Sequence, residues 1–214
     1  TSVGSHQAGV AIIAGSNHAS LWNETRQSWI DLHPAAATES IANAVSGTTQ
    51  AGWASVSDVQ RACIWNGSAG SWVDLHPISA TRSEVYANSA TKQAGFAVFD
   101  GVIRACVWSG SALSWTDLHP AGARESRITA TTDTLQAGFV RIGNARVASL
   151  WRGTTESWTS LNPIGSAWSE ALATTSVEQV GWAMVGSVGR ASVWSGTAQS
   201  WVDLHALLPD HYSS

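Results

Sequence analysis

Charge is scarce in this chain, and lysine is almost absent. Only 12% of its 214 residues are Asp, Glu, Lys or Arg, Lys92 is the single lysine, and the net charge is -4. A surface with no basic stripe cannot neutralise a row of phosphates, which argues against nucleic acid as a partner. No apolar run approaches the roughly 18 to 20 residues of a membrane span, and no charged segment followed by an apolar one opens the sequence. A soluble protein is expected, and a surface of Ser, Thr, Ala and Gly with so little lysine is compatible with a secreted bacterial one. The two cysteines, Cys63 and Cys106, are 43 residues apart and hold the same place in successive repeats. Equivalent positions in neighbouring units stand too far apart for the short Cα separation of a disulfide, so both read as small core residues. Phosphate loops, zinc spacings and Ser, His, Asp nucleophile sets are also missing, and no cofactor or metal is expected.

Tryptophan is plentiful by contrast, with thirteen residues, and ten of them fall in two columns of one period. Trp22, Trp65, Trp108, Trp151 and Trp194 recur every 43 residues, and so do Trp29, Trp72, Trp115, Trp158 and Trp201. Gly9, Gly52, Gly95, Gly138 and Gly181 keep the same register without a gap, as do Ala19, Ala62, Ala105, Ala148 and Ala191. Such self-similarity is the signature of a repeat architecture. Within the second period, four β-type runs lie between turn signals: Ser40 to Ser46 (strand A), Gln50 to Val56 (B), Arg61 to Trp65 (C) and Ser71 to Leu75 (D). Gly47 marks the A to B turn, Asn66-Gly67-Ser68-Ala69-Gly70 the C to D hairpin, and His76-Pro77 ends strand D. Four antiparallel strands in 43 residues make the blade of a propeller.

The fold expected is therefore all-β: a five-bladed β-propeller forming a single domain over residues 1–214. Five periods overrun the chain by a single residue, and Asp210 to Ser214 followed by Thr1 to Gln7 aligns with Arg82 to Gln93 of the third repeat. The ring is expected to close through a strand shared by the N- and C-termini, which would leave no exposed end faces. Strong internal similarity with matching ends also suits a designed, reconstructed or excised propeller. The repeated tryptophans read as packing anchors between sheets, because identical placement in every blade is what packing requires.

The segments Ala62-Cys63-Ile64-Trp65-Asn66-Gly67, Asp74-Leu75 and Gln93-Ala94-Gly95, with Gln179-Val180-Gly181, resemble the bacterial HAF-type extracellular repeats. The resemblance spans essentially the whole chain. It implies a secreted, propeller-like repeat protein without known catalytic residues. The departure is His-Pro after Asp-Leu, where the family more often continues with glycine.

Two polar patterns remain. Asp-Leu-His recurs as Asp31 with His33, Asp74 with His76, Asp117 with His119 and Asp203 with His205, whereas the fourth repeat has Ser160 and Asn162. Two groups per blade are too few for a closed metal site. The pair is expected to share one strand face, Asp orienting His, and to hydrogen-bond a neighbouring strand or turn. Arg61, Arg104 and Arg190, with His18 in the same column, are expected at the mouth or paired with its glutamates.

The variable exposed columns carry the functional expectation. One reads Glu39, Arg82, Glu125, Trp168 and His211; the next reads Ile41, Glu84, Arg127, Glu170 and Ser213. A regular scaffold that changes charge and size at one end presents a composite surface, although exposed loops also drift. The ligand-binding candidates are Glu39, Arg82, Glu84, Glu125, Arg127, Trp168, Glu170 and His211. Trp168 is expected in a turn after Pro163-Ile164-Gly165, and the glutamates in a mixed, solvated ring. The expected function is a monomeric, non-catalytic binding or scaffold module with a glycan or protein ligand on the loop face. The alternatives are a purely structural propeller with no ligand, and an enzyme acting on glycosides with converging carboxylates.

Overall fold

A computed structural model describes residues 1–208. It contains five four-stranded antiparallel sheets, each built from consecutive strands. Sheet 1 holds β1 (Ser2–Val3), β2 (His6–Ile13), β3 (Ser16–Asn23) and β4 (Thr25–Asp31), and sheet 2 holds β5 (Ala37–Ser46), β6 (Thr49–Val56), β7 (Val59–Trp65) and β8 (Val73–Asp74). Sheet 3 follows with β9 (Arg82–Asn88), β10 (Gln93–Phe99), β11 (Val102–Trp108) and β12 (Thr116–Asp117). Sheet 4 comprises β13 (Glu125–Thr131), β14 (Gln136–Ile142), β15 (Ala145–Trp151) and β16 (Thr159–Ser160). Sheet 5 comprises β17 (Ser166–Thr174), β18 (Gln179–Val185), β19 (Val188–Trp194) and β20 (Val202–Asp203).

Strands A, B and C match the expected positions and run a few residues longer at their ends. Strand D is shorter than expected in sheets 2 to 5, with two residues each, whereas β4 of sheet 1 has seven. In sheet 2 a 3-10 turn over Ala69–Ser71 takes up the start of the predicted strand, and only Val73 and Asp74 pair with β7. Ser71 explains this: its hydroxyl donates to the Ser68 carbonyl and accepts the Asn66 N–H, so the chain coils locally before it can extend.

Adjacent sheets pack face to face through the repeated columns. Trp65 lies against Ala8, Ala19, Leu21 and Leu32 of sheet 1, and Trp108 against Ala51, Ala62 and Leu75 of sheet 2. Trp151 and Trp194 repeat the contact on sheets 3 and 4. Each of these four rings is fully buried, worth a few kcal/mol at ~25 cal/mol per Å². The small alanines of the preceding sheet make room for the indole. On the last sheet the same columns are uncovered among the described residues: Val180 is 42% exposed, whereas its equivalents Ala8, Ala51, Ala94 and Ala137 are buried. The segment Asp210 to Ser214, expected to complete sheet 1, lies outside the described residues, and so does His211.

In sheets 1 to 3 the Asp-Leu-His columns turn out to be staples to the next sheet, with one change to the expected geometry, while His205 begins a 3-10 turn. Asp does not orient the His ring from the same strand face, because strand D ends at Asp. Asp74 Oδ1 instead accepts the backbone N–H of His76, and Oδ2 pairs with Arg61. The His76 ring then reaches the next sheet, with Nε2 2.8 Å from the Ala80 carbonyl and Nδ1 2.7 Å from Ser83 Oγ. Ser83 Oγ also accepts the Ala62 N–H. A carbonyl can only accept, so Nε2 carries a proton; burial disfavours a second one on His76, and in that neutral ring Nδ1 accepts from the serine. His33 with Ser40 and His119 with Ser126 repeat this arrangement. The fourth repeat has not lost it. Ser169 donates to Asn162 Oδ1 and Asn162 Nδ2 donates to the Ser166 carbonyl, so one amide presents the acceptor and donor that imidazole supplies elsewhere.

Arg61, Arg104 and Arg190 consequently stay within their own blades. They pair with Asp74, Asp117 and Asp203 at 2.6–3.0 Å, and His18 pairs with Asp31, so none of this column joins the mouth glutamates.

Candidate functional site

The site begins with a glycine and a bulge. On β6, β10, β14 and β18, a β-carbon at Gly52, Gly95, Gly138 or Gly181 would collide with the carbonyl of Ile41, Glu84, Arg127 or Glu170 on the adjacent innermost strand. Glycine therefore lets the innermost strand press inwards at that point. The register slips immediately afterwards, leaving Asn43, Tyr86, Thr129 and Leu172 as extra residues between paired neighbours. A bulge re-aims a side chain. Here it aims three of them at the next innermost strand: Asn43 Nδ2 donates to Glu84 Oε1 and the Val85 carbonyl, Tyr86 Oη accepts from Arg127, and Thr129 Oγ1 donates to the Ala171 carbonyl.

The charged residues expected at the mouth are gathered by these contacts, and they are not a solvated ring. Glu84 and Glu170 are only 7% and 8% exposed. A carboxylate tolerates such burial when donors surround it. Glu84 accepts from Asn43, from Gln60 at 2.8 Å and from Arg82 at 3.5 Å. Glu170 takes Arg146 at 2.7 Å, and Glu125 takes Arg127 Nε at 2.7 Å. Burial pushes the Tyr86 hydroxyl above its ordinary value, reinforced by the Glu84 charge, so it stays a neutral phenol. Burial alone would lower Arg127, but Glu125 and Tyr86 outweigh it and hold the guanidinium charged.

These groups enclose a half-open cavity of about 480 Å³ lined by Tyr86, Glu125, Arg127, Thr129, Phe139, Arg146 and Glu170. Beside it, sharing Arg146, is a hollow of about 300 Å³ lined by Arg141, Asn144, Arg146, Trp168 and Trp182. Trp168 is not in a turn. It belongs to β17, at a second register slip after Ser166, and is half exposed. Of the sequence candidates, Glu125, Arg127 and Glu170 line the cavity, Trp168 lines the hollow, and Glu84 and Arg82 stand in the adjoining network. Glu39 is exposed and lines neither.

Sequence reasoning missed Tyr86, Thr129, Phe139, Arg146 and Trp182. One signal was available: Trp53, Phe96, Phe139 and Trp182 form an aromatic column on the second strands at the same 43-residue period. Guanidinium groups cover two of these rings. Arg82 and Arg127 lie 5.2 and 4.8 Å from the centre of Phe96, and Arg146 lies 4.1 Å from that of Phe139. Among the described residues, no group of three or more His, Cys, Asp or Glu side chains could hold a metal ion, and no helix is long and apolar enough to cross a membrane.

Searches against family models and against curated proteins return no match. Solved structures do match. A TolB from Acinetobacter baumannii superposes with a TM-score of 0.59 at 11% identity, over 92% of this chain and 50% of that one. A putative TolB from Agrobacterium tumefaciens gives 0.62 at 10% identity, over 93% of this chain and 80% of that one. This chain thus spans half the length of the first neighbour and most of the second. At such identity the likeness concerns the fold alone, and with the five repeated sheets it identifies the chain as an all-β protein of propeller-like architecture.

Proposed function

We propose that the chain is a non-catalytic binding module, its ligand held at the mouth formed by the innermost strands of sheets 3 to 5. The observation that carries this reading is that Tyr86, Arg127 and Glu170 converge on one cavity. These residues come from successive repeats, at positions that vary from repeat to repeat, while the packing columns around them stay fixed. Packing needs no such variation, and a cavity lined by a few convergent polar groups is what a ligand site requires. One composite site fits this pattern better than five equivalent ones.

The non-catalytic part of the proposal rests on pairing. Glu125 and Glu170 share the cavity, as glycoside chemistry would demand, but each is engaged by a guanidinium at 2.7 Å. An inverting or retaining pair needs one carboxylic acid able to protonate the leaving oxygen, and neither partner arrangement favours one. The proposal also has the ring closing through residues 210–214 and the protein acting outside the cytoplasm, in keeping with the HAF-like motifs.

A glycan array probed with the wild-type chain and with Arg127→Gln tests the reading. Binding that the variant loses supports it. An empty array at high protein concentration removes the glycan ligand and leaves a scaffold, and release of reducing sugar from any bound glycan would restore the enzyme.

A further inference from the structure

We infer that the hollow between Trp168 and Trp182 is a subsite for an acidic sugar residue, a pyranose ring bearing a carboxylate. The inference rests on the binding-module reading and names the ligand class. Its first support is the aromatic column. Phe96 and Phe139 are covered by the protein's own guanidinium groups, whereas no guanidinium lies over Trp182 at cation–π distance among the described residues. Trp182 instead faces a hollow that Trp168, 49% exposed, walls from the neighbouring strand. Trp168 is opposite Met184 and Glu170 opposite Trp182, so the two indoles come from adjacent strands with Glu170 between them in register. Two rigid indoles lining one hollow together with polar side chains suit the apolar faces and hydroxyls of a sugar.

The second support is the state of the two arginines. Arg146 is committed to Glu170 at 2.7 Å and to the Phe139 ring. Arg141 is not committed in this way. It stands 3.8 Å from Glu125, a carboxylate already taken by Arg127 at 2.7 Å, and half of its side chain is exposed. Its guanidinium fork is therefore available for a carboxylate, which it can take bidentately. Asn144, in the β14–β15 turn, adds an amide donor and acceptor for hydroxyls. A volume of about 300 Å³ suits a short saccharide segment.

The test is calorimetric titration of the whole chain with trigalacturonic acid, with its fully methyl-esterified form and with hexaglutamate. The ester keeps the rings and ring hydroxyls and removes the charge. The expected result is that the acid binds, that the ester binds at least about tenfold more weakly, and that hexaglutamate does not bind. Arg141→Gln should bring the acid down to the level of the ester, and Trp168→Ala should weaken both saccharides. Because both side chains are exposed, the variants should melt with the wild type. Equal binding of acid and ester, or indifference to Arg141→Gln, overturns the acidic-sugar assignment and leaves the binding module standing. Tighter binding of hexaglutamate overturns it in favour of an acidic protein segment. Absence of binding by all three probes overturns it as well. The broader reading fails separately, on an empty array.

Discussion

The carbonyl oxygen of Arg127 occupies the space that a β-carbon on Gly138 would need. Glycine at this column is a condition for the bulge that follows, and hence for the aim of Thr129 and the place of Arg127 itself.

Gly138→Ala should therefore cost about 1–3 kcal/mol, since backbone must move to admit the methyl group. Gly9 holds the same column in sheet 1, but its β-carbon would meet only the Trp22 ring, at 3.6 Å. Gly9→Ala should be neutral or stabilising by up to about 1 kcal/mol. Denaturant midpoints of the two variants decide the matter, and equal losses would refute the collision as the reason for the glycines.

A second prediction concerns the indole N–H groups of the outer tryptophan column. Trp29, Trp158 and Trp201 donate to Ser20, Ser149 and Ser192 at 2.9–3.0 Å. Trp72 faces Cys63 in the same place, and its Nε1 has no hydrogen-bond partner. Cys63→Ser should supply the missing acceptor and raise stability by about 1 kcal/mol, read as an increase in Tm. A lower Tm would mean that the thiol's volume matters more than the donor. Burial pushes both thiols, Cys63 and Cys106, well above the ordinary range, so neither should react readily with thiol reagents until the chain unfolds.

The histidine staples predict a pH dependence. Burial holds His76 and His119 below the ordinary value of 6.5 in the folded chain, the Ala80 and Ala123 carbonyls offsetting only part of the effect. The unfolded chain then binds protons more readily than the folded one. Their contribution is complete above pH 6.5 and is lost as pH falls through the lower folded values. Asn162 shows that an amide can take the same place, so His76→Asn with His119→Asn should fold and should lose less stability between pH 7.5 and 5. Parallel stability curves for variant and wild type would contradict the neutral-imidazole assignment.

Asn162→Ala removes the fourth staple without a change in charge. It leaves the Ser169 hydroxyl and the Ser166 carbonyl without their partner. A loss of about 1–3 kcal/mol is expected in a denaturant titration, and a loss below about 0.3 kcal/mol would show the staple to be dispensable.

The repeat and its strands were legible in the sequence because five copies average out the ambiguity of any one short β run. The 3-10 turn before the outer strands of sheets 2 to 5 was not, since Ser71 and its equivalents there read equally well as strand residues until their hydroxyls are seen to bond locally. The inner bulges were also hidden. Nothing at Tyr86 or Thr129 marks an extra residue; the signal is the remote glycine, whose role depends on the strand beside it. The variable columns picked out Arg127 and Glu170, which line the cavity, and Glu84, which lies buried beside it; they also picked out Glu39, which stays exposed. Burial of a carboxylate was misjudged because the donors that permit it, Asn43 and Gln60, come from another blade.

The inner contacts all run one way, from the bulge of one blade to the innermost strand of the next. Neighbourhood, and not blade content, thus defines the pocket. Exchanging the third and fourth repeats would keep every packing column intact, yet Tyr86 would face the strand of Glu170 and Thr129 that of Glu84. Blade order is therefore itself a heritable specification of the site, and shuffling such repeats would create new pockets from an unchanged set of parts.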